Sequence, residues 1–167
     1  MRVMGIDCGT AYTGFGFVEQ SARDRLTYLA AGAIRLNKKE SPPQRLAHIF
    51  ADLRALIGEH QPDIIAIEEV FYSVNPKSAL KLGQVRGVAM LAAAFCNLPM
   101  AEYSPLAIKS SVVGYGHAEK HQVQHMVMKL LQLPELPQPA DAADALAIAI
   151  CHLHTAQTLS KQAVGNR

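Results

Sequence analysis

No apolar run in this chain approaches the roughly 20 residues of a membrane span, although half of its 167 residues are apolar. No membrane association is expected. Charge is scarce at 18% of residues, which excludes the polar, charge-rich composition of a disordered segment. The net charge of +2 does not demand a nucleic-acid partner; only clustered bases would point to one. The three cysteines, Cys8, Cys96 and Cys151, are odd in number, far apart and without CxxC spacing, so neither a disulfide framework nor a zinc ribbon is indicated. They read as reduced thiols. No basic-then-apolar leader precedes RVMGID, so a cytoplasmic protein is expected. Repeats and low-complexity tracts are also missing. The length suits a single domain, residues 1–157, with the polar segment 158–167 as a flexible C-terminal tail.

What is present is an ordered alternation of periods. Residues 2–7, 13–19 and 26–34 read as three strands separated by glycine-rich or polar turns. Ser41-Pro42-Pro43 caps an amphipathic helix carrying Leu46, Ile49, Phe50, Leu53, Leu56 and Ile57 and stopping near Gly58. PDIIAIEEVF is apolar on both faces, as in a central strand covered by helices, and ends on Glu68 and Glu69. Helices follow over 77–95, after Ser104-Pro105, over 119–133 and over 140–157, with a short strand at LPMAEY. This order predicts an α/β fold with a mixed sheet, its first three strands antiparallel and the rest parallel. Ligands of such sheets sit at the carboxyl ends of the strands, where Asp7 and one of the two glutamates fall.

GIDCGTAYTGFGF surrounds Asp7 with four glycines, which suit a tight turn and the close approach of another molecule. ADAADALAIAI places Asp141 and Asp144 three apart, on one face of a helix kept slim by Ala140, Ala142, Ala143 and Ala145. Capping explains Asp141 alone but not Asp144, a turn further in and flanked by Ala and Leu. Together with Asp7 and a strand-end glutamate, these acids can converge on one spot. Carboxylates gathered in a crevice repel and raise one another's pKa unless cations neutralise them. Oxygen ligands suit Mg²⁺ or Mn²⁺ rather than zinc. Two such ions about 3.5–4 Å apart can drive in-line hydrolysis of a phosphodiester. Periodicity does not choose between Glu68 and Glu69, since only one can face the site.

These motifs, with SALKLGQVRGVAMLAAAF and VVGYGHAEKHQVQHMV, make the chain resemble RuvC-type Holliday junction resolvases from Arg2 to about His154. The resemblance implies a ribonuclease-H-like five-stranded sheet with helices on both faces. It also implies a homodimer, paired nicking of four-way DNA junctions with two Mg²⁺ per site (Mn²⁺ as substitute), and the branch-migration complex RuvA and RuvB as partners. Asp7, Glu68, Asp141 and Asp144 become the catalytic and metal-binding acids, which settles the glutamate in favour of Glu68. Phe71 takes a position that contacts bases near the crossover. Lys109 and Lys120 take positions implicated in DNA binding and catalysis, with Lys77 and Lys81 as further phosphate contacts. Cys8 and His117 depart from the family pattern, which commonly has proline and serine there.

Other features have plainer readings. Lys38, Lys39, Lys129 and Lys161 read as solvated. His121 and His125 lie four apart but lack companion ligands and read as surface residues, and His152 and His154 read as dipole-compatible residues near a helix end. A sugar-kinase-like ATPase shares the strand-Asp-Gly-Thr opening but needs a second phosphate loop and more chain. A non-catalytic DNA-binding module leaves the four acids unexplained. A sibling nuclease acting on RNA or RNA–DNA hybrid would share the same site.

Overall fold

The computed structural model describes residues 1–22, 24–69 and 75–165. Strands β1 (Arg2–Asp7), β2 (Tyr12–Gln20) and β3 (Leu26–Arg35) lead into α1 (Pro42–His60), β4 (Ile64–Glu68), α2 (Pro76–Phe95) and β5 (Met100–Tyr103). Helices α3 (Pro105–Val113), α4 (Lys120–Leu130) and α5 (Ala140–Gly165) complete the chain. The sheet order is β3-β2-β1-β4-β5. β1 pairs antiparallel with β2 and parallel with β4, which pairs parallel with β5, so the expected mixed sheet is present. β1, β4 and β5 therefore end on one rim, where β2 begins and β3 ends, since Asp7 pairs with Gly14 and Tyr12 with Arg35.

Each face of the sheet buries its own apolar layer. Met4, Ile6, Phe17, Ile65 and Ile67 pack under α1 and α2. Val3, Val18 and Ala66 pack under α3, α4 and α5. Side chains alternate along a strand, so Asp7 shares the parity of Val3, and Glu68 that of Ala66. Both acids point to the α5 face. The same alternation sends Glu69 the other way; it is exposed, with its backbone N–H donating to the Tyr103 carbonyl.

α5 lies almost directly on β1 and β2. A Cβ on Gly5 would stand 1.9 Å from the Ala145 carbonyl oxygen, and one on Gly14 would stand 2.1 Å from that of Asp141. These two glycines therefore make room for a helix backbone, not for DNA as expected from the sequence. Buried Ala142, Ala143 and Ala145 supply the slim helix face that completes the fit.

Some element ends differ from the periodic reading. α1 passes Gly58 and ends at Gln61, whose φ of 46° is left-handed. α4 stops at Leu130 instead of Leu133, because Gln132 adopts a φ of 54°. α5 continues beyond Gln157 to Gly165, so residues assigned to the tail are helical that far. Thr158 and Ser160 return their hydroxyls to the carbonyls of His154 and Gln157, which lets polar residues extend the helix without disrupting it. Among the described residues no helix is long and apolar enough to cross a membrane.

Candidate active site

Asp7, Glu68 and Asp144 line one cleft of about 240 Å³, together with Lys109, Lys120 and the apolar wall of Ile108, Val123 and Ile148. Asp7 and Glu68 arrive on adjacent parallel strand ends, and Asp144 from the first turns of α5. Asp141 lies a turn earlier on α5, beside Gly14, and is close enough to Asp7 to act on its charge. Of the four acids expected to converge, three meet in the cleft from three elements, and Asp141 stands beside it, outside its lining.

Their mutual repulsion is visible in the titration of Asp7. Burial first, then the charges of Asp144, Glu68 and Asp141, push its carboxyl up to about 7, with Lys120 opposing. Glu68 is also raised, by burial and then Asp144, while Lys109 and Lys120 pull it back. Lys120 Nζ donates to Asp144 Oδ2 at 2.6 Å, and that hydrogen bond is the main reason its own pKa rises. One lysine against one acid leaves the rest of the negative charge without an ion pair among the described residues. The all-oxygen donor set fits a hard divalent cation. As the side chains stand, no three His, Cys, Asp or Glu among the described residues enclose an ion.

The DNA-contact residues are distributed differently. Lys109 and Lys120 sit in the cleft. Lys77 and Lys81 are exposed on α2, outside it; Lys81 lies in a small hollow with Thr10 and Leu36, beside the loop that follows Asp7. Phe71 lies outside the described residues. Cys8 packs against the α1/α2 core, where burial and then neighbouring Asp7 push its thiol up to about 12. A thiol so firmly protonated is a poor nucleophile, in keeping with Cys8 as a reduced, unreactive thiol.

Arg86 was legible only as one more base on α2. Its guanidinium reaches the Glu68 carbonyl at 2.7 Å and also pairs with Glu102, with only 15% of its side chain exposed. It clamps the ends of β4 and β5 and so fixes where Glu68 leaves the sheet. His152 is the other correction: with α5 extended, it lies in the core, accepts or donates to Tyr103 Oη at 2.8 Å, and has its pKa lowered by burial. His154 is likewise bound to Ser111. His121 matches its plain reading, exposed and paired with Glu119.

A ribonuclease-H-like sheet with acids and lysines gathered on its carboxyl rim is the architecture of a nucleic-acid phosphodiesterase. The family model described as crossover junction endodeoxyribonuclease RuvC matches residues 3–152, and this chain belongs to that family. It is 63% identical over 161 residues to the crossover junction endodeoxyribonuclease RuvC of Koribacter versatilis, covering 96% of this chain and 97% of the relative. Among solved structures, Thermus thermophilus RuvC superposes with a TM-score of 0.86 at 32% identity, over 95% of this chain and 96% of that one. T. thermophilus RuvC in complex with Holliday junction substrate gives 0.87 at 29% identity, with the same coverage.

Proposed function

We infer that this chain is a structure-specific endonuclease that resolves four-way DNA junctions by paired, symmetric hydrolysis of phosphodiester bonds in homologous recombination and repair. The observation that carries the reading is the meeting of Asp7, Glu68 and Asp144 with Lys109 and Lys120 in one cleft of a family member. Asp7, Glu68, Asp141 and Asp144 would hold two Mg²⁺, or Mn²⁺ in their place, supplying a water made nucleophilic at neutral pH and charge stabilisation for the leaving oxygen. The chain's own contributions are positional. Lys109 and Lys120 attract the backbone phosphate and offset its charge. Arg86 holds the Glu68 strand end, the apolar wall limits water, and Asp7 gives up its proton to become an oxygen ligand. The test compares a synthetic four-way junction, a linear duplex and an RNA–DNA hybrid, each with Mg²⁺ and with chelator. Symmetric nicks in the junction alone, dependent on Mg²⁺, are expected; preferential cutting of the hybrid or duplex would overturn the reading.

The two lysines should separate from the acids in their effects. Lys109→Gln with Lys120→Gln is expected to lower junction nicking more than ten-fold. The slope of log affinity against log salt should also fall by roughly 2, one counterion per lost phosphate contact. Titrations by anisotropy at several salt concentrations read the slope.

Symmetric cutting calls for two sites, and a homodimer with C2 symmetry supplies them. α2 offers the surface for it: Leu80 is 70% and Leu91 56% exposed, and Gly83 and Gly87 face open space. Leu80→Glu with Leu91→Glu is expected to give a monomer of 18.1 kDa in sedimentation velocity, and unchanged dimer would place the interface elsewhere. Cooperation with the branch-migration complex RuvA and RuvB, and a cytoplasmic location, rest on family membership.

A further inference from the structure

A second cleft, of about 540 Å³, opens on the same rim as the acids and is lined by Tyr12, Arg35, Asn37, Lys38 and Lys39. It lies at the turn between β3 and α1. Arg35, Lys38 and Lys39 are exposed, and none forms an ion pair among the described residues. The nearby acid, Glu40, is shared between His48 Nδ1 at 2.9 Å and the Asn37 amide, which donates to its Oε1 at 3.3 Å, so it offsets part of the positive charge. Three cations against one acid leave the turn net positive, an arrangement that a further anion relieves.

The turn is built rather than loose. Leu36 is buried, and its N–H donates to the Ala11 carbonyl at 3.0 Å, tying the turn to the loop that leaves Asp7. Asn37 Oδ1 accepts the Lys39 N–H at 3.0 Å, which sets the path of the chain between the lysines. The hollow holding Arg45 and Lys81 adjoins it through Leu36 and Thr10, so the basic tract continues around the Asp7 loop.

Position supplies the occupant. The β2–β3 register puts Arg35 opposite Tyr12, and β2 separates β3 from β1. Two strand spacings and two residues along the strand place Arg35 roughly 12 Å from Asp7, on the side away from Lys109 and Lys120. A phosphodiester chain whose scissile phosphate sits at the acids must leave the site on both sides. Lys109 and Lys120 meet it on one.

We propose that the β3–α1 turn, through Arg35, Lys38 and Lys39, is a second phosphate-binding site that holds the DNA backbone of a junction arm on the β3 side of the cut. This rests on the nuclease reading and adds a subsite to it. Lys38 and Lys39 are exposed, as read from the sequence; the proposal adds a phosphate for them to meet.

The test measures binding of a four-way junction by the full-length protein with Asp7→Asn, so that no cutting intervenes, across a salt series. Arg35→Gln, Lys38→Gln and Lys39→Gln together are expected to weaken binding at least ten-fold at moderate salt and to lower the log–log salt slope by 2 to 3. A charge-matched control replaces Arg25, Lys129 and Lys161, which lie away from this cleft, and should change the slope by less than 1. Thermal unfolding checks that both triple variants fold. An unchanged slope in the turn variant, or an equal loss in the control, would overturn the proposal. Failure of the Asp7→Asn parent itself to bind junctions would instead sink the nuclease reading.

Discussion

Asp7→Asn is expected to lose at least a thousand-fold of junction nicking and, in chelator at pH 8, to be more stable than the wild type. Both effects follow from one carboxyl group. Asp7 has a folded-state pKa of about 7 against an ordinary 3.8, so the native state holds its proton more tightly than the unfolded chain does. Between those two values stability falls as pH rises, and above pH 7 the whole penalty is present. A rise from 3.8 to about 7 corresponds to about 4 kcal/mol, the greatest gain Asn could give. A rise in Tm on the order of 5–10 °C at pH 8 is expected, shrinking to nothing near pH 4. Mg²⁺ should raise the Tm of the wild type and leave the variant nearly unmoved. The loss of nicking reflects several kcal/mol of transition-state stabilisation by ions that Asn cannot hold. A structural acid would behave oppositely, losing stability on substitution while keeping activity. Melting curves at pH 4 and pH 8, with and without Mg²⁺, separate the two.

Gly5→Ala is expected to destabilise the protein by about 3 kcal/mol, the upper part of the ordinary range for overpacking. Its new methyl would meet the Ala145 carbonyl at 1.9 Å and the Ala149 nitrogen at 2.8 Å, and both are backbone atoms that cannot rotate aside. Relief requires α5 to lift, and α5 carries Asp141 and Asp144. Nicking should therefore fall at temperatures where the variant is still folded, by ten-fold or more. Gly58→Ala is the control: it lies in α1 with nothing within 4 Å of its Cβ, and helix propensity alone predicts a gain of up to about 1 kcal/mol. Urea unfolding of both variants reads the difference. A Gly5→Ala protein as stable as the wild type would mean that α5 does not lie on β1 as described.

The site acids were legible because each stands where periodicity breaks. Asp7 ends an apolar strand, and Asp141 and Asp144 interrupt an alanine-rich helix. The choice of Glu68 over Glu69 needed the resemblance at first, and the sheet then gave it a physical basis: Ala66 and Glu68 share the parity that faces α5. The glycines of GIDCGTAYTGFGF were legible as room for something close, but not as room for α5, since the partner lies some 130 residues on in sequence. Arg86 escaped for the same reason. A side chain that holds a backbone carbonyl 18 residues away leaves no local pattern. Lys38 and Lys39 look like any surface lysines; only the β2–β3 register, which puts Arg35 opposite Tyr12, shows that the turn they occupy lies on the same rim as Asp7. His152 was misplaced because composition suggested that the last helix ended eight residues before it does, at Gln157 instead of Gly165.

The most direct measurement is an anomalous difference map from crystals of the wild-type protein soaked in Mn²⁺. Manganese peaks are expected within about 2.2 Å of carboxylate oxygens of Asp7 and Glu68, with Asp141 and Asp144 completing the set and Lys120 displaced from Asp144. Protein from the same preparation should nick four-way junctions in Mn²⁺. Active protein whose crystals show no manganese at these acids, or show it bound elsewhere, would mean that the four carboxylates are not the metal site.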